Sequence, residues 1–281
     1  MDDGHDITPR TDTQQLLRVW LSPSFPIGAY AYSHGLESAV ARGLVKNRAD
    51  LEAWLRALLR HGSARTDHVL LVAAWGVVAP NPKLSSRALC PGSNSQHAAA
   101  TPKTTAHAIR SSDISSGITM DLGHRARDDT GGEASVFAAI NALALALQPS
   151  AERYLETSQQ GGSFVTAITA AWPCASIDAL RVACADAIAY PVALGVAAAG
   201  HDIGLTDVLD AYALAFVQNS TSAAIRLSII GQTDAQRVIA ALMPDIAVAT
   251  RFAATSSLDV LGAACFSSDL TSLEHETLPT R

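Results

Sequence analysis

The segment Ser22–Glu37, Ser-Pro-Ser-Phe-Pro-Ile-Gly-Ala-Tyr-Ala-Tyr-Ser-His-Gly-Leu-Glu, interrupts an otherwise helical N-terminal region. Pro23 and Pro26 should end the apolar run before it, because proline lacks the amide hydrogen that a helix needs and pushes the preceding residue toward extended backbone. Gly28 has no side chain, so the backbone at this position can turn or approach another chain closely. We therefore predict a helix, a tight turn and a second helix, and we call residues 22–37 the elbow.

Tyr30 and Tyr32 lie in the elbow, and their hydroxyl groups need hydrogen-bond partners if they are buried. On physical grounds alone, the simpler interpretation of the elbow is a core turn between two helices. After the turn, Tyr32, Leu36 and Ala39 recur at helical spacing, and Gly43 can stop that helix.

Helical periodicity continues on both sides of the elbow. Asp12 or Thr13 can cap a first helix that ends at Pro23. The clearest helix begins after Asn47 or Asp50, ends at His61-Gly62, and carries apolar residues at i, i+3, i+4, i+7 and i+8: Leu51, Trp54, Leu55, Leu58 and Leu59.

Further helices are predicted over 67–78, 133–148, 151–172, 176–189, 190–200, 205–230, 234–243, 246–255 and 257–265. Ser176 and Thr206 are expected to cap two of them, and Pro244 to end the helix at 234–243. Gly161-Gly162 predicts a kink or a close backbone contact, because glycine is costly within a helix. No run of alternating β-branched residues is present, so the sequence predicts an all-α, single-domain bundle of about nine to eleven helices.

Residues 81–132 break this pattern, because they are rich in Ser, Thr, Ala, Gly and Pro and show no sustained period. We predict that they form a long irregular insertion, disordered or loop. The domain is expected to span 13–268, after a flexible N-terminus at 1–12 and before an acidic C-terminal tail at 269–281. The insertion contains Cys90, His97, His107 and His124, whose spacing matches no compact metal motif.

The composition excludes several classes of protein. Charged residues make up 16% of the 281 residues and the net charge is −6, so no basic surface for nucleic acid is expected. Mean hydropathy is +0.18, yet the longest apolar runs fall short of the ~20 residues that a membrane span needs. No secretory signal is visible, and the four cysteines are scattered, which indicates reduced thiols in a cytoplasmic protein.

Motifs that carry chemistry are not found. The sequence has no Gly-x-Ser-x-Gly, no His-Glu-x-x-His and no phosphate-binding Gly-x-x-x-x-Gly-Lys-Ser/Thr motif. We expect His34 in the elbow to be capped or solvated rather than catalytic. His275-Glu276 could bind a metal together with His201 or contact a partner, and the sequence leaves both interpretations open.

Several stretches resemble the urease accessory protein F (UreF) family. The elbow run from Phe25 to Glu37 is similar to the N-terminal signature of that family, and Gln218–Leu227, followed by Gly231–Gln236, to a second signature. Glu152–Glu156 resembles the central helix, and His275–Arg281 the C-terminus. The resemblance covers most of 14–80 and 133–281, and residues 81–132 have no counterpart in it.

This resemblance implies a non-catalytic, all-α homodimer that takes part in urease maturation. Such a protein would bridge UreD (also called UreH) and the GTPase UreG, and the assembly would dock on apo-urease for GTP-dependent nickel insertion. No cofactor is implied for the chain itself, and whether nickel contacts this chain stays open.

The resemblance also implies roles for particular residues. Tyr30 and Arg281 would shape the surface that recruits UreG, together with Gly28, Tyr32 and Glu37 of the same motif. Three tail residues, namely His275, Glu276 and Thr277, would face UreD/UreH, and the tail is expected to be short because the family usually continues beyond this point. A third set, Asp210, Tyr212 and Leu214, matches the dimer-forming helix, although Asp210 and Leu214 are not the expected residue types.

One alternative from another class is retained. An all-α enzyme for a small molecule could have its pocket between helices near Tyr30, Tyr32 and His34.

Overall fold

The computed structural model describes residues 12–79, 130–262 and 264–275. Over these residues the chain forms eleven α-helices, two short 3-10 turns and no strand, which confirms the predicted all-α class. The predicted insertion at 81–132, with Cys90 and its three histidines, lies outside the described residues except for its last three positions, which already belong to a helix. The predicted flexible N-terminus also lies outside them, apart from Asp12.

The helices are α1 (Thr13–Trp20), α2 (Leu36–Ala41), α3 (Arg48–His61), α4 (Ser63–Val78), α5 (Thr130–Ala146), α6 (Ala151–Ala171), α7 (Ala175–Ala183), α8 (Tyr190–Gly200), α9 (Leu205–Arg226), α10 (Gln232–Ala254) and α11 (Phe266–His275). The 3-10 turns are Ala29–Ala31 and Leu258–Val260. In the part of the chain that the structure describes, no helix combines the length and the apolar character that crossing a membrane requires.

Helix α8 is the centre of the bundle, since every residue from Tyr190 to Ala198 is buried. It packs against α4 and α6 and also contacts α5, α7 and α9. Its small residues allow this crowding: a Cβ on Gly195 would lie 2.6 Å from the Leu71 carbonyl oxygen of α4. The first hydrophobic cluster surrounds α8, and a second one joins α2 and α3 to α9 and α10.

Helices α1 and α3 begin with the side-chain caps that the sequence predicts. The Asp12 carboxylate accepts the Gln14 amide at 3.0 Å, and the Asn47 side chain accepts the Asp50 amide at 3.1 Å. Gly43 follows α2 with a positive φ of 70°, which ends that helix as predicted. Tyr32, however, has extended backbone and lies before α2, so its predicted place on that helix is wrong.

Pro244 does not end a helix, because α10 runs through it from Gln232 to Ala254. The missing amide costs about 3 kcal/mol in a helix interior. Buried residues on both sides of the proline, among them Leu242 and Ile246, offset this cost by packing against α3 and α9. Asp245, directly after the proline, receives hydrogen bonds from Arg56 and Arg60 of α3 at 3.0 and 2.5 Å. Tertiary contacts therefore override the local signal.

Helix α7 ends at Ala183, six residues before the predicted end, and its N-cap is Cys174 rather than Ser176. The Asn141 side chain donates to the Ala187 carbonyl at 2.7 Å and accepts the Ala189 amide at 2.8 Å. These two bonds satisfy backbone groups of the segment 184–189 without a helix. Pro191 then occupies the first turn of α8, where its missing amide has no cost.

Several predictions for the C-terminal half also differ from the structure. Helix α9 follows Gly204 rather than a Thr206 cap, and it ends at Arg226 because Ser228 adopts a positive φ of 59°. The predicted helix at 257–265 is reduced to the 3-10 turn, and residues 269–275 of the predicted tail belong to α11, which packs on α2 and α6.

The glycine pair in α6 makes a close backbone contact and does not break the helix. A Cβ on Gly161 would overlap the Ile188 carbonyl oxygen, whereas a Cβ on Gly162 would meet nothing within 4 Å. Only the first glycine is therefore required by packing.

This difference gives a matched pair of variants. Gly161→Ala should lower the free energy of unfolding by about 1–3 kcal/mol, because the segment before α8 must move away from α6. Gly162→Ala should raise it by up to about 1 kcal/mol, because alanine favours the helix and faces open space. Urea denaturation measures both values, and equal effects of the two substitutions would contradict the described contact.

Candidate functional site

The elbow is held in place by polar side chains of α9. The Asn219 amide donates to the Ala29 carbonyl at 2.9 Å and to the Tyr32 carbonyl at 3.3 Å. The Arg226 guanidinium donates to the Tyr30 carbonyl at 2.6 Å. Both donors belong to the second signature stretch, so the two stretches that are distant in sequence form one structure. The backbone of residues 29–32 is therefore fixed by hydrogen bonds from α9.

Gly28 begins the 3-10 turn with a positive φ of 71°, a conformation that L side chains rarely adopt. The turning role is therefore confirmed, and since no neighbour in this chain lies within 4 Å of an added Cβ, a close approach by another chain stays a prediction. Tyr30 on the following turn is 69% exposed. Tyr32 instead donates its hydroxyl hydrogen to the Gln159 side-chain oxygen of α6 at 2.5 Å. The two tyrosines thus have different surroundings.

Beneath the elbow lies a cavity of about 380 Å³. Its lining includes Trp20 of α1, Phe25 and Tyr30 of the elbow, His34, and Tyr212 and Phe216 of α9. Tyr30 and His34 therefore share a cavity, as the enzyme alternative requires, whereas Tyr32 lines a separate depression on the α6 side.

The His34 side chain is only 12% exposed and contacts charged residues, so the solvated alternative is wrong. Its Nδ1 accepts a hydrogen bond from the Arg153 Nη1 at 2.5 Å, and its Nε2 lies 3.4 Å from the Glu156 carboxylate. The Phe216 ring packs edge-on at 4.9 Å between ring centroids. Burial lowers the pKa of His34 to about 4, so the imidazole is neutral near pH 7 and both ring nitrogens are engaged. His34 is poorly placed to act as a general base.

The residues around His34 form a buried charged cluster, which we define as His34, Asp67, Arg153, Glu156, Gln160 and Tyr212. Arg153 and Glu156 are 5% and 3% exposed and form a direct ion pair. Arg153 also lies 3.7 Å from the Asp67 carboxylate, which accepts the Tyr212 hydroxyl at 3.4 Å. Gln160 donates to Glu156 at 3.1 Å. The cluster joins the elbow, α4, α6 and α9 through hydrogen bonds and through the ion pair between Arg153 and Asp67.

Burial raises the pKa of Asp67 to about 6, although the Arg153 guanidinium opposes that rise. The cluster is therefore largely protected from water, and most of its polar atoms bond one another, although the Arg153 Nε has no hydrogen-bond partner. Such an arrangement fixes the relative positions of four elements rather than providing an available nucleophile or base.

Sequence reasoning did not find this cluster, although a signal was present. Arg153, Glu156 and Gln160 follow one another at i, i+3 and i+7, and the fully buried Phe164 comes at i+11. Charged residues on the same helix face as a core phenylalanine predict a buried ion pair. Asp67, at the start of the apolar helix α4, supplies the second carboxylate.

The other predicted site residues are dispersed. Along α9, Asp210 is exposed and Leu214 packs against the second hydrophobic cluster, whereas Tyr212 turns inward to Asp67. Glu37 lies in the first turn of α2. Arg281, Glu276 and Thr277 lie outside the described residues, and His275 is the last residue of α11.

Helix α11 itself is attached beside the elbow. The Ser272 hydroxyl bonds the Ser150 hydroxyl at 2.6 Å, and a Cβ on Gly35 would lie 3.0 Å from the Thr271 hydroxyl. Among the residues that the structure describes, no group of three or more His, Cys, Asp and Glu side chains could hold a metal ion.

Removal of the cation from the cluster should be costly. Arg153→Met leaves two carboxylates without their buried cation, so we expect the free energy of unfolding to fall by about 3–5 kcal/mol in chemical denaturation. Arg181→Met is the matched control, because Arg181 pairs with Asp178 at 3.5 Å on the surface. The control should cost less than about 1 kcal/mol. Similar losses for both variants would show that the Arg153 cluster is not a buried network.

Comparison with known proteins agrees with the resemblance in the signature stretches. Residues 45–243 match the model of the UreF family. A protein of Methylobacterium radiotolerans named urease accessory protein UreF is 42% identical over 275 residues, which are 97% of this chain and 98% of that protein. The protein of the same name from Xanthobacter autotrophicus is 40% identical over 265 residues, covering 94% of this chain and 88% of its own. The chain therefore belongs to the UreF family.

Proposed function

We propose that this protein is a urease maturation factor that acts as a scaffold rather than as an enzyme. It bridges UreD/UreH and the GTPase UreG, and the complex delivers nickel to apo-urease in a GTP-dependent step. The chain acts in the cytoplasm as a homodimer. Membership of the UreF family supports the role in urease maturation, and the geometry of the elbow supports the scaffold mechanism.

The single observation that carries the mechanism is the exposure of Tyr30 on a fixed backbone. The side chain is 69% exposed, while its own carbonyl and those of Ala29 and Tyr32 accept hydrogen bonds from α9. Because the backbone is already fixed, a partner that covers the Tyr30 ring has to order only two side-chain torsions. We assign the elbow to the recruitment of UreG, with Tyr30 as the central contact and Gly28, Tyr32 and Glu37 as the surrounding surface.

The second contact surface is assigned to α11. Phe266, Leu270 and Leu273 recur at i, i+4 and i+7, and all three are among the exposed large apolar residues. Their opposite face, with Ser268, Thr271 and Ser272, is buried against the elbow side of the bundle. An amphipathic helix with an uncovered apolar face suits a partner helix or groove. We propose that UreD/UreH covers this face and the residues that follow it, namely His275, Glu276 and Thr277.

Two further points complete the proposal. The homodimer uses the outer face of α9, where Asp210 is exposed, while the inward Tyr212 positions the helix. Nickel is the cargo of the complex, and we assign no resident metal ion to this chain.

The enzyme alternative has one observation in its favour, which is the cavity that Tyr30 and His34 share. The chemistry of His34 weighs against it, because the imidazole is buried and bonded to Arg153 and Glu156.

The elbow assignment predicts a selective loss of one partner. Tyr30→Ala should weaken UreG recruitment by about 2 kcal/mol, which is roughly a thirtyfold loss of affinity, because it removes a preorganised aromatic contact. Binding of UreD/UreH should persist, since α11 is unchanged. Copurification of the two partners with the tagged chain, followed by titration of UreG, measures both effects.

Val182→Ala is the control, because Val182 is 82% exposed on α7 and outside the elbow. It should leave both partners bound. Unchanged UreG binding by Tyr30→Ala would contradict the elbow assignment, and failure of the wild-type chain to bind either partner would contradict the scaffold proposal.

A further inference from the structure

The cavity beneath the elbow is lined largely by aromatic rings. Its volume of about 380 Å³ lies within the range of small-molecule pockets and leaves room for about a dozen water molecules. Six aromatic side chains from α1, the elbow, α8 and α9 contribute to the lining: Trp20, Phe25, Tyr30, Tyr190, Tyr212 and Phe216. Walls of this kind suit a flat, apolar molecule, because rings pack well edge to face or in offset stacks.

The charge of the lining restricts what the cavity can hold. None of the described lining residues is Asp, Glu, Lys or Arg. The imidazole of His34 is neutral near pH 7, and its nitrogens are engaged by Arg153 and Glu156 behind the cavity wall. A charged molecule would therefore lose its hydration without gaining a counter-ion. The lining favours an uncharged occupant and disfavours metal ions and phosphate compounds.

Tyr190, the first residue of α8, brings an unused hydrogen-bond donor to this lining. Its side chain is only 6% exposed, and burial raises the pKa of its hydroxyl, so the group keeps its proton. Among the residues that the structure describes, none forms a hydrogen bond with this hydroxyl, whereas the Tyr190 amide is bonded to the Thr157 hydroxyl at 3.2 Å. The hydroxyl is also not one of the fully enclosed polar atoms without a partner, so it stays accessible from the cavity.

Gln160 of α6 brings an unused acceptor. Its side chain is also 6% exposed, and its Nε2 donates to Glu156 at 3.1 Å, which leaves the side-chain oxygen without a described donor. Thr157, which binds the Tyr190 amide, lies one turn before Gln160, so both unused groups come from the same contact between α6 and α8. Buried polar groups are normally hydrogen-bonded, and a donor and an acceptor left open on one wall indicate a missing ligand.

We propose that this cavity is a binding site for small, uncharged aromatic amides. A primary amide presents an acceptor and a donor side by side, which matches the two open groups. The amide oxygen accepts a hydrogen bond from the Tyr190 hydroxyl, the amide nitrogen donates to the Gln160 oxygen, and the ring packs among the aromatic walls. No covalent bond changes, and His34 takes no part. The inference goes beyond the role in urease maturation and does not depend on it.

The test is binding of 2-naphthamide to the full-length protein, detected by saturation-transfer NMR and quantified by titration calorimetry. Tyr190→Phe should weaken binding about tenfold, because it removes the hydroxyl donor and leaves the ring in place. Tyr154→Phe is the matched control, since it removes the same group from a tyrosine that is 44% exposed and outside the cavity. The control should bind the amide like the wild-type protein.

The charge requirement is tested with 2-naphthoate, which has the same ring system and a carboxylate. It should bind the wild-type protein at least tenfold more weakly than 2-naphthamide does. Absence of naphthamide binding would show that the cavity holds water only and would overturn the proposal. Equal affinities for the amide and the carboxylate would also overturn it, as would an unchanged affinity in Tyr190→Phe. The comparison of the two ligands on the wild-type protein decides the matter even where the variant does not fold.

Discussion

The ion pair between Arg153 and Glu156 is the constraint on which the arrangement of the elbow depends. Both groups are buried, so each must satisfy its hydrogen bonds with protein atoms rather than with water. They do so in large part through His34 from the elbow, Asp67 from α4 and, through Asp67, Tyr212 from α9, while the Arg153 Nε is left without a hydrogen-bond partner. These elements cannot shift independently without leaving a charge uncompensated. A polar network inside an otherwise apolar bundle thus determines where the surface turn is placed.

The low charge content of the chain has a direct structural counterpart in α8. A helix made of Tyr, Pro, Val, Ala, Leu and Gly has no polar face, so it must be surrounded on all sides. Because its residues and those of its neighbours are small, the backbones pack in direct contact. Gly195 of α8 contacts the backbone of α4, and Gly161 of α6 contacts the backbone of the segment before α8. The remaining apolar surface is not buried within the chain, and α11 carries part of it. Packing of this kind is consistent with a chain whose outer helices serve as contact surfaces for other proteins.

Local rules predicted the elements whose signals are local. The Asp12 and Asn47 caps, the turn at Gly28 and the stop at Gly43 each depend on a few neighbouring atoms. The incorrect predictions concern features that are determined by contacts between residues distant in sequence. Pro244 stays within α10 because α3 supplies Arg56 and Arg60 to the next residue, and α7 ends early because Asn141 of α5 binds the backbone after it. His34 was misassigned for the same reason, since its partners come from α6, more than a hundred residues along the chain.

The same reasoning explains why the elbow is suited to recognition. A turn with two prolines and an exposed tyrosine would lose conformational entropy on binding if it were loose. Here Asn219 and Arg226 occupy three of its carbonyl groups, and the charged cluster holds His34 directly after the turn. The entropy of ordering this backbone is therefore lost during folding, and a partner proposed to bind Tyr30 would have to order only the side chain. The proposed recognition by the elbow would depend on the hydrogen bonds beneath it, which are contributed by the second signature stretch of the family.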